Sequence, residues 1–300
     1  PVQFLQTWLP GFVRTLTAAR TIDELFGIAT VGSFDDEQIV QGVLEYTGRA
    51  VPYGDHTNIP LASYETGYET RTVVRFEHGM GVGVLEQSRA ARQKIDLASE
   101  RRAGAALALE IERNKVGFYG YNSGGATYGA LNEPNLPAYV NVAPGAGGTT
   151  WASKTFLEIT ADIRAILGDL VVSSGGNIKL DKTPITLGVA LNAHTYLSVT
   201  NTLGSQSVAA WLAETYPTVR VVAVPEFDNA NGGASVMYAF AETVEDGSSD
   251  DRRTIAQLVP SKFQTLGIEQ GAKRYVEDFM NATAGIIVKR PYAIRRRSGI

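Results

Sequence analysis

The sequence predicts an α+β protein in which a compact sheet region carries long projecting parts, and three observations carry that prediction. The stretch from Leu85 to Val116 is filled by strong helix formers, with no proline and Gly104 as its single glycine, so propensity and length agree on a helix. Between Glu37 and His78, extended patterns flank a turn-rich connection. From Trp151 onward, helical and strand patterns alternate around what reads as one sheet.

The first element, Pro1 to about Thr30, reads PVQFLQTWLPGFVRTLTAARTIDELFGIAT. Phe4, Leu5, Trp8, Leu9, Phe12, Val13 and Leu16 make it too apolar for a disordered tail, yet it is too short to hold a core. It predicts a hydrophobic arm lying along another surface; the first helix of a compact domain fits nearly as well. Pro1 is consistent with a removed initiator methionine or a cut propeptide, and both stay open.

The next element is a pair of extended stretches. Gln38 to Ala50 is the first, and Thr70 to His78 (TRTVVRFEH) is the second, with Thr72, Val74 and Phe76 on one face and Arg71, Val73, Arg75 and Glu77 on the other. Pro52, Gly54, Pro60 and Gly67 punctuate the connection between them. An isolated hairpin is marginal in water, so this one needs a partner surface, for which a neighbouring subunit is the natural candidate. The chain holds no lysine before Lys94, which rules out a lysine-derived isopeptide link from the hairpin.

Leu85 to Val116 then predicts one rod of roughly thirty residues, on the order of 45 Å long. Its stripe, Ala91, Ile95, Ala98, Ala105 and Leu109, is narrow and built largely of alanine, which suits a helix lying across a sheet or a subunit. Arg102 interrupts the stripe and argues against a coiled coil. The glycine-rich stretch that follows is interleaved with Phe118, Tyr119, Tyr121, Tyr128 and Tyr139 and predicts ordered turns, with a boundary near Gly145 to Thr150.

In the second half, Ile159, Ile163, Ile166, Leu167 and Leu170 form a broad helical stripe, with Thr155 and Glu158 placed as a capping box and Gly175-Gly176 as the stop. Strands are predicted at Ile185 to Leu191, Arg220 to Val224, Ser235 to Thr243 and Ile255 to Val259. Short helices are predicted at Ala193 to Thr200 and Ser207 to Tyr216. Gly271 to Ile300 offers a final strand ending in Arg295, Arg296 and Arg297, read as a solvated strand end or, less readily, a contact for an enclosed polyanion.

Composition bounds the function. At 300 residues, 44% hydrophobic and 19% charged, the chain has material for one large domain or two. A net charge of -4 argues against tight nucleic-acid binding, though a chain can enclose nucleic acid without gripping it. Cysteine is absent, which removes disulfides, thiolate nucleophiles and cysteine-ligated metals. The run of apolar residues needed for a membrane span is missing.

Motifs for chemistry fall short. Gly79, Gly81 and Gly83 precede a helix, but Val84 stands where a dinucleotide fingerprint needs its third glycine; a glycine hinge suffices. His56, His78 and His194 share no metal-ligand spacing. Glu158 and Asp162 lie four apart on a helix, where a solvated face is the expectation over an acid-base pair. Asp228-Asn-Ala-Asn-Gly-Gly is a poor calcium loop, because Ala230 occupies a ligand position. No catalytic, cofactor-binding or metal-binding residue is therefore assigned, and no cofactor is expected.

The order of parts, together with the strings WLPGFVRTLTAARTIDELFGIATVGSF, GRAVPYGDHTNIPLASY, RFEHGMGVGVLEQSRAARQKID and GFYGYNSG followed by LNEPNLPAYV, resembles the major capsid proteins of tailed bacteriophages, the HK-ninety-seven fold. The resemblance implies an N-terminal arm over 1–36, an extended β-hairpin loop over 37–84 and a peripheral domain with a spine helix over 85–150. It further implies an axial domain over 151–270 and a C-terminal strand over 271–300 returning to the peripheral domain. Implied function is a shell subunit forming pentamers and hexamers of an icosahedral head around double-stranded DNA, with no sequence-specific DNA binding and no membrane contact. Its partners would be copies of itself, with decoration, scaffolding and portal proteins, in a virion assembled in the host cytoplasm. An encapsulin-like compartment shell is the alternative, and a soluble α/β enzyme the second. Some relatives cross-link through a lysine in the extended loop; here that lysine is lacking, which implies non-covalent locking.

Overall fold

The computed structural model describes residues 19–55, 59–92, 96–121 and 125–300. Most of the expected arm, residues 1–18, lies outside them, as does His56.

In chain order the elements are α1 (Ile22–Phe26), β1 (Ile28–Ala29), β2 (Gln38–Thr47), β3 (Ser63–Thr72), β4 (Val74–Gly83), α2 (Val84–Arg92), α3 (Leu97–Tyr119), β5 (Val140–Asn141) and α4 (Phe156–Ser173). There follow β6 (Ile185–Ala190), α5 (Leu191–His194), α6 (Val208–Thr215), β7 (Val219–Val224), β8 (Val236–Ala241) and β9 (Ile255–Leu258). The chain closes with β10 (Ser261–Gln270), β11 (Arg274–Thr283), β12 (Ile286–Val288) and β13 (Ile294–Ser298). Among the described residues the strands make a five-stranded sheet in the order β5-β13-β8-β6-β7, two three-stranded sheets, β10-β11-β4 and β1-β9-β12, and the two-stranded β2-β3.

The largest core gathers around the five-stranded sheet. Strands β6 and β8 are buried along their whole length, which is why ITLGVA and VMYAFA read as continuous apolar runs instead of alternating ones. Helix α4 contributes Ile159, Ile163, Ile166, Leu167 and Leu170, all fully buried, each stabilising by roughly 1.5–3 kcal/mol. Its start follows the sequence signal: Thr155 and Glu158 form a capping box, and Gly175 and Gly176 take positive φ just beyond its end.

A second, smaller core lies where α3 crosses the sheet of β4, β10 and β11. Ala105 and Leu109 of the helix meet Met80, Val82 and Phe279 of the strands, and Asn281 Nδ2 donates to the Leu109 carbonyl at 2.8 Å. Helix α1 ties the two cores together. Its Ile22 N–H donates to Asn114 Oδ1 of α3 at 3.1 Å, Asn114 Nδ2 donates to Glu226 Oε1, and Arg113 pairs with Asp23 at 2.7 Å. Ile22, Leu25 and Phe26 are buried, so the end of the stretch expected as an arm belongs to the core of its own chain.

Several expectations change. The single rod is two helices, α2 and α3, because Asp96 starts the second one: its side chain accepts from Ser99 N–H at 3.2 Å, and an aspartate in that position favours a new helix start. The return strand of the hairpin begins at Ser63, well inside the stretch taken for a loop, and ends at Thr72. Beyond buried Val73, whose N–H donates to Glu37, the chain leaves the hairpin and β4 pairs antiparallel with β11, from Val74↔Thr283 to Gly83↔Arg274. Period two persists across that switch, so the pattern alone merges two strands into one.

The expected glycine hinge is part of β4. A Cβ at Gly79 would come within 2.5 Å of Asp278 Oδ1, so the glycine leaves room for that side chain on the neighbouring strand. The region 271–300 also divides: β11 joins the sheet under α3, whereas β13 sits inside the five-stranded sheet between β5 and β8.

Candidate assembly surface

The hairpin of β2 and β3 is built by ten consecutive residue pairs, from Gln38↔Thr72 to Thr47↔Ser63. Among the described residues it pairs with no further strand. Away from its base both faces are open, with Val40, Val43, Leu44, Tyr46, Tyr64 and Tyr68 in solvent, and toward its tip Tyr53 is 92% exposed and Ile59 and Leu61 are each 85% exposed. Burying several such side chains would stabilise a contact by roughly 1.5–3 kcal/mol each. Among the described residues nothing covers that surface.

The base of the hairpin is held firmly. Ile39 and Val73 pack with Ala29, Ala256, Leu258, Ala282, Ala284 and Ile287, Thr127 Oγ1 donates to the Thr72 carbonyl at 2.8 Å, and Arg75 donates to the Phe34 and Asp36 carbonyls. Arg71 is the centre of the anchor. It donates to Glu133 Oε1 at 2.5 Å, to Glu69 Oε2 at 3.4 Å and to the Ile286 carbonyl at 3.2 Å, and it stands over the Tyr128 ring. Burial pushes the Glu133 carboxyl up to about 7, against the opposing pull of Arg71.

Beside β2 an open groove of about 530 Å³ runs between Gln41–Tyr46 and the acidic turn 246–250. Arg290 crosses this turn, with Nε to Asp246 at 2.6 Å and Nη2 to Asp250 at 2.7 Å. Its hydrogen bonds hold Asp246 well below the usual carboxylate range and bring Asp250 to about 2. A second exposed edge is β10, with Phe263, Leu266 and Ile268 in solvent and irregular pairing to β11 near Gln264 and Gly267.

The residues weighed for chemistry are scattered. His78 lies in β4 opposite Phe279, and His194 ends α5 at the rim of an open groove lined by aliphatic, serine and threonine side chains. Among the described residues no three His, Asp or Glu side chains come together as a metal site. Asp228 Oδ1 accepts from Asn192 N–H at the start of α5, and the turn after it is closed by backbone hydrogen bonds between Asn231 and Ala234.

Glu158 and Asp162 do not share a solvated face. Glu158 serves the helix start, accepting from Thr155 N–H and Ala146 N–H, whereas Asp162 is buried and its Oδ2 accepts from Lys154 Nζ at 2.6 Å and Trp151 Nε1 at 3.0 Å. The expectation failed because it judged Asp162 by α4 alone, and the loop before that helix folds back over it. The three arginines are likewise not a solvated strand end. Arg296 is buried, its guanidinium 4.0 Å from the Tyr139 ring centre and its Nε donating to the Pro137 carbonyl, while Arg297 pairs with Asp169. Tyr139 and the alternation along β13 carried the signal for Arg296.

The family model described as Pa193 gp26 major capsid protein matches residues 1–299. Among solved structures, the capsid of Myoviridae phage XM1 superposes with a TM-score of 0.77 at 19% identity, covering 100% of this chain and 98% of that one. The capsid of the native GTA particle gives 0.66 at 10% identity over 98% and 94%. A structure from Mycobacterium phage Ogopogo gives 0.61 at 10% identity over 99% and 98%. Among curated proteins nothing matches.

Proposed function

The chain belongs to the Pa193 gp26 major capsid protein family, and from that premise we propose how its parts build a shell. It is a phage major capsid protein with an HK-ninety-seven-type fold. Family and fold point to a structural role instead of a catalytic one, and an encapsulin-like compartment is not favoured.

In the proposed arrangement the β2–β3 hairpin is the extended loop and lies over an adjacent copy. Helix α3 with β4, β10 and β11 forms the peripheral part, and the five-stranded sheet with α4 and α6 forms the axial part around the capsomer centre. Copies close into pentamers and hexamers of an icosahedral head that encloses double-stranded DNA without reading its sequence, a role compatible with the chain's net charge of -4. Assembly takes place in the host cytoplasm, with scaffolding, portal and decoration proteins as further partners. Among the described residues no helix is long and apolar enough to cross a membrane. With no lysine in the hairpin, locking is non-covalent and rests on heterologous contacts repeated around each ring.

One observation carries this reading: a ten-pair hairpin with an anchored base and an apolar, unpartnered surface. The test removes residues 43–67 and joins Gly42 to Tyr68 through an Asn-Gly turn, which suits a two-residue hairpin connection. The shortened chain is expected to fold, with native far-ultraviolet dichroism, but to form no shells under electron microscopy. Normal particles would remove the hairpin from its role.

A further inference from the structure

Glu133 is a buried acid that shell building as described leaves without a task. Its side chain is wholly shielded from solvent and that of Arg71 nearly so. Glu133 Oε1 accepts from Arg71, whereas among the described residues Oε2 has no partner within hydrogen-bond geometry; the backbone N–H of Asn135 faces the carboxyl and, with Arg71, favours its ionised form against burial. The charged groups facing it are Arg71 and Glu69, both on β3. Neutral neighbours complete the site: Asn135 Nδ2 donates to Glu69 Oε1 at 2.7 Å, the Ile286 carbonyl of β12 accepts from Arg71, and the Tyr128 ring lies against the guanidinium.

Two carboxylates thus share one guanidinium. With both ionised the cluster carries a net negative charge in a dry place, and one proton on the unpartnered Oε2 makes it neutral. Glu69 and Arg71 sit at the foot of the hairpin, while Glu133 belongs to the turn after α3. Lifting the hairpin would separate the groups and return Glu133 to water.

We propose that Glu133, Arg71 and Glu69 form a one-proton latch that holds the hairpin against the body of the chain when Glu133 is protonated and loosens its hold when Glu133 is ionised. The inference rests on the hairpin being the shell-building element and names the device that sets its angle. The raised affinity of Glu133 for a proton, with its carboxyl near 7 in the docked state, agrees with the geometry. An acid whose pKa is higher docked than free takes up a proton on docking, so the latch is strengthened as pH falls below about 7 and lost as pH rises through that value.

The test uses the unassembled full chain, which has no cysteine of its own, with spin labels at T66C on β3 and V172C on α4. The distance distribution is expected to be narrow at pH 6 and broad at pH 8.5, with the docked-to-lifted ratio falling about tenfold between them. In E133Q, which mimics the protonated acid, it is expected to stay narrow at both. Should E133Q fail to fold, E69Q leaves Arg71 to Glu133 alone and is expected to move the transition to lower pH. A wild-type distribution that ignores pH, a response that survives E133Q, or an unmoved transition in E69Q overturns the latch. Because the reading is taken without shells, its failure is separate from that of the hairpin deletion, which is scored on particles.

Discussion

Asp162 offers a sharp test of the energetics beneath the shell. Its Oδ2 accepts from Lys154 Nζ at 2.6 Å and from Trp151 Nε1 at 3.0 Å, and the Lys154 and Asp162 side chains are 1% and 5% exposed. D162N keeps an acceptor for both donors but removes the negative charge, leaving a buried ammonium without its counter-ion. Breaking such a pair from one side costs about 3–5 kcal/mol. K154M strands the carboxylate instead and is expected to cost a similar amount, about 3–5 kcal/mol. The double variant D162N/K154M is electrically neutral and still offers Trp151 an acceptor, so its loss is expected to be only about 1–2 kcal/mol. The assay is urea unfolding of the unassembled chain followed by tryptophan fluorescence, in which a shift of midpoint at constant slope reports stability. The coupling between the two sites is then on the order of 5 kcal/mol or more. If the double variant loses the sum of the two single ones, the groups do not act as a pair and the reasoning is refuted.

Two further outcomes follow from local geometry. Gly285 has φ +73°, and a Cβ there would stand 2.2 Å from the Tyr128 carbonyl oxygen. G285A is expected to lower stability by more than about 2 kcal/mol, measured by thermal unfolding; an unchanged midpoint would show that the segments 127–129 and 284–286 can part freely. Asp246 and Asp250 are both held below the ordinary 3.8 by Arg290, Asp250 at about 2. A carboxylate depressed in the folded state stabilises above its unfolded value and loses that contribution as pH falls through its folded one. An acid titration should therefore unfold R290Q at higher pH than the parent, with the gap only partly narrowed by salt because the two carboxylate side chains are each 20% exposed; coincident curves would contradict this.

How much of this was legible beforehand depended on whether the deciding interaction was local. The capping box at Thr155 and Glu158, the buried stripe of α4 and the apolar runs of β6 and β8 are all read from residues a few positions apart, and they stand as expected. The break at Asp96 was also local, but strong helix propensity on both sides outweighed a single capping residue in the reading. The switch at Val73 was hidden because both hairpin and sheet ask for the same alternation. Strand β10 escaped notice because its exposed, mixed sequence earns no strand signal by itself and takes its structure from β11. Asp162 and Arg296 are buried by chain segments that no helical or strand period announces. The Glu133 cluster joins residues 62 positions apart, and only the fold brings them together.

The place of β13 carries a consequence for synthesis. Residues 294–298 form an interior strand, between β5 and β8, of a sheet whose other strands begin at residue 140, so the sheet is not complete until they are in place. Without them, β8 would lose its pairing from Ile294↔Phe240 to Ser298↔Val236 and Ile294 would leave the main core, so this late segment completes the largest hydrophobic interior.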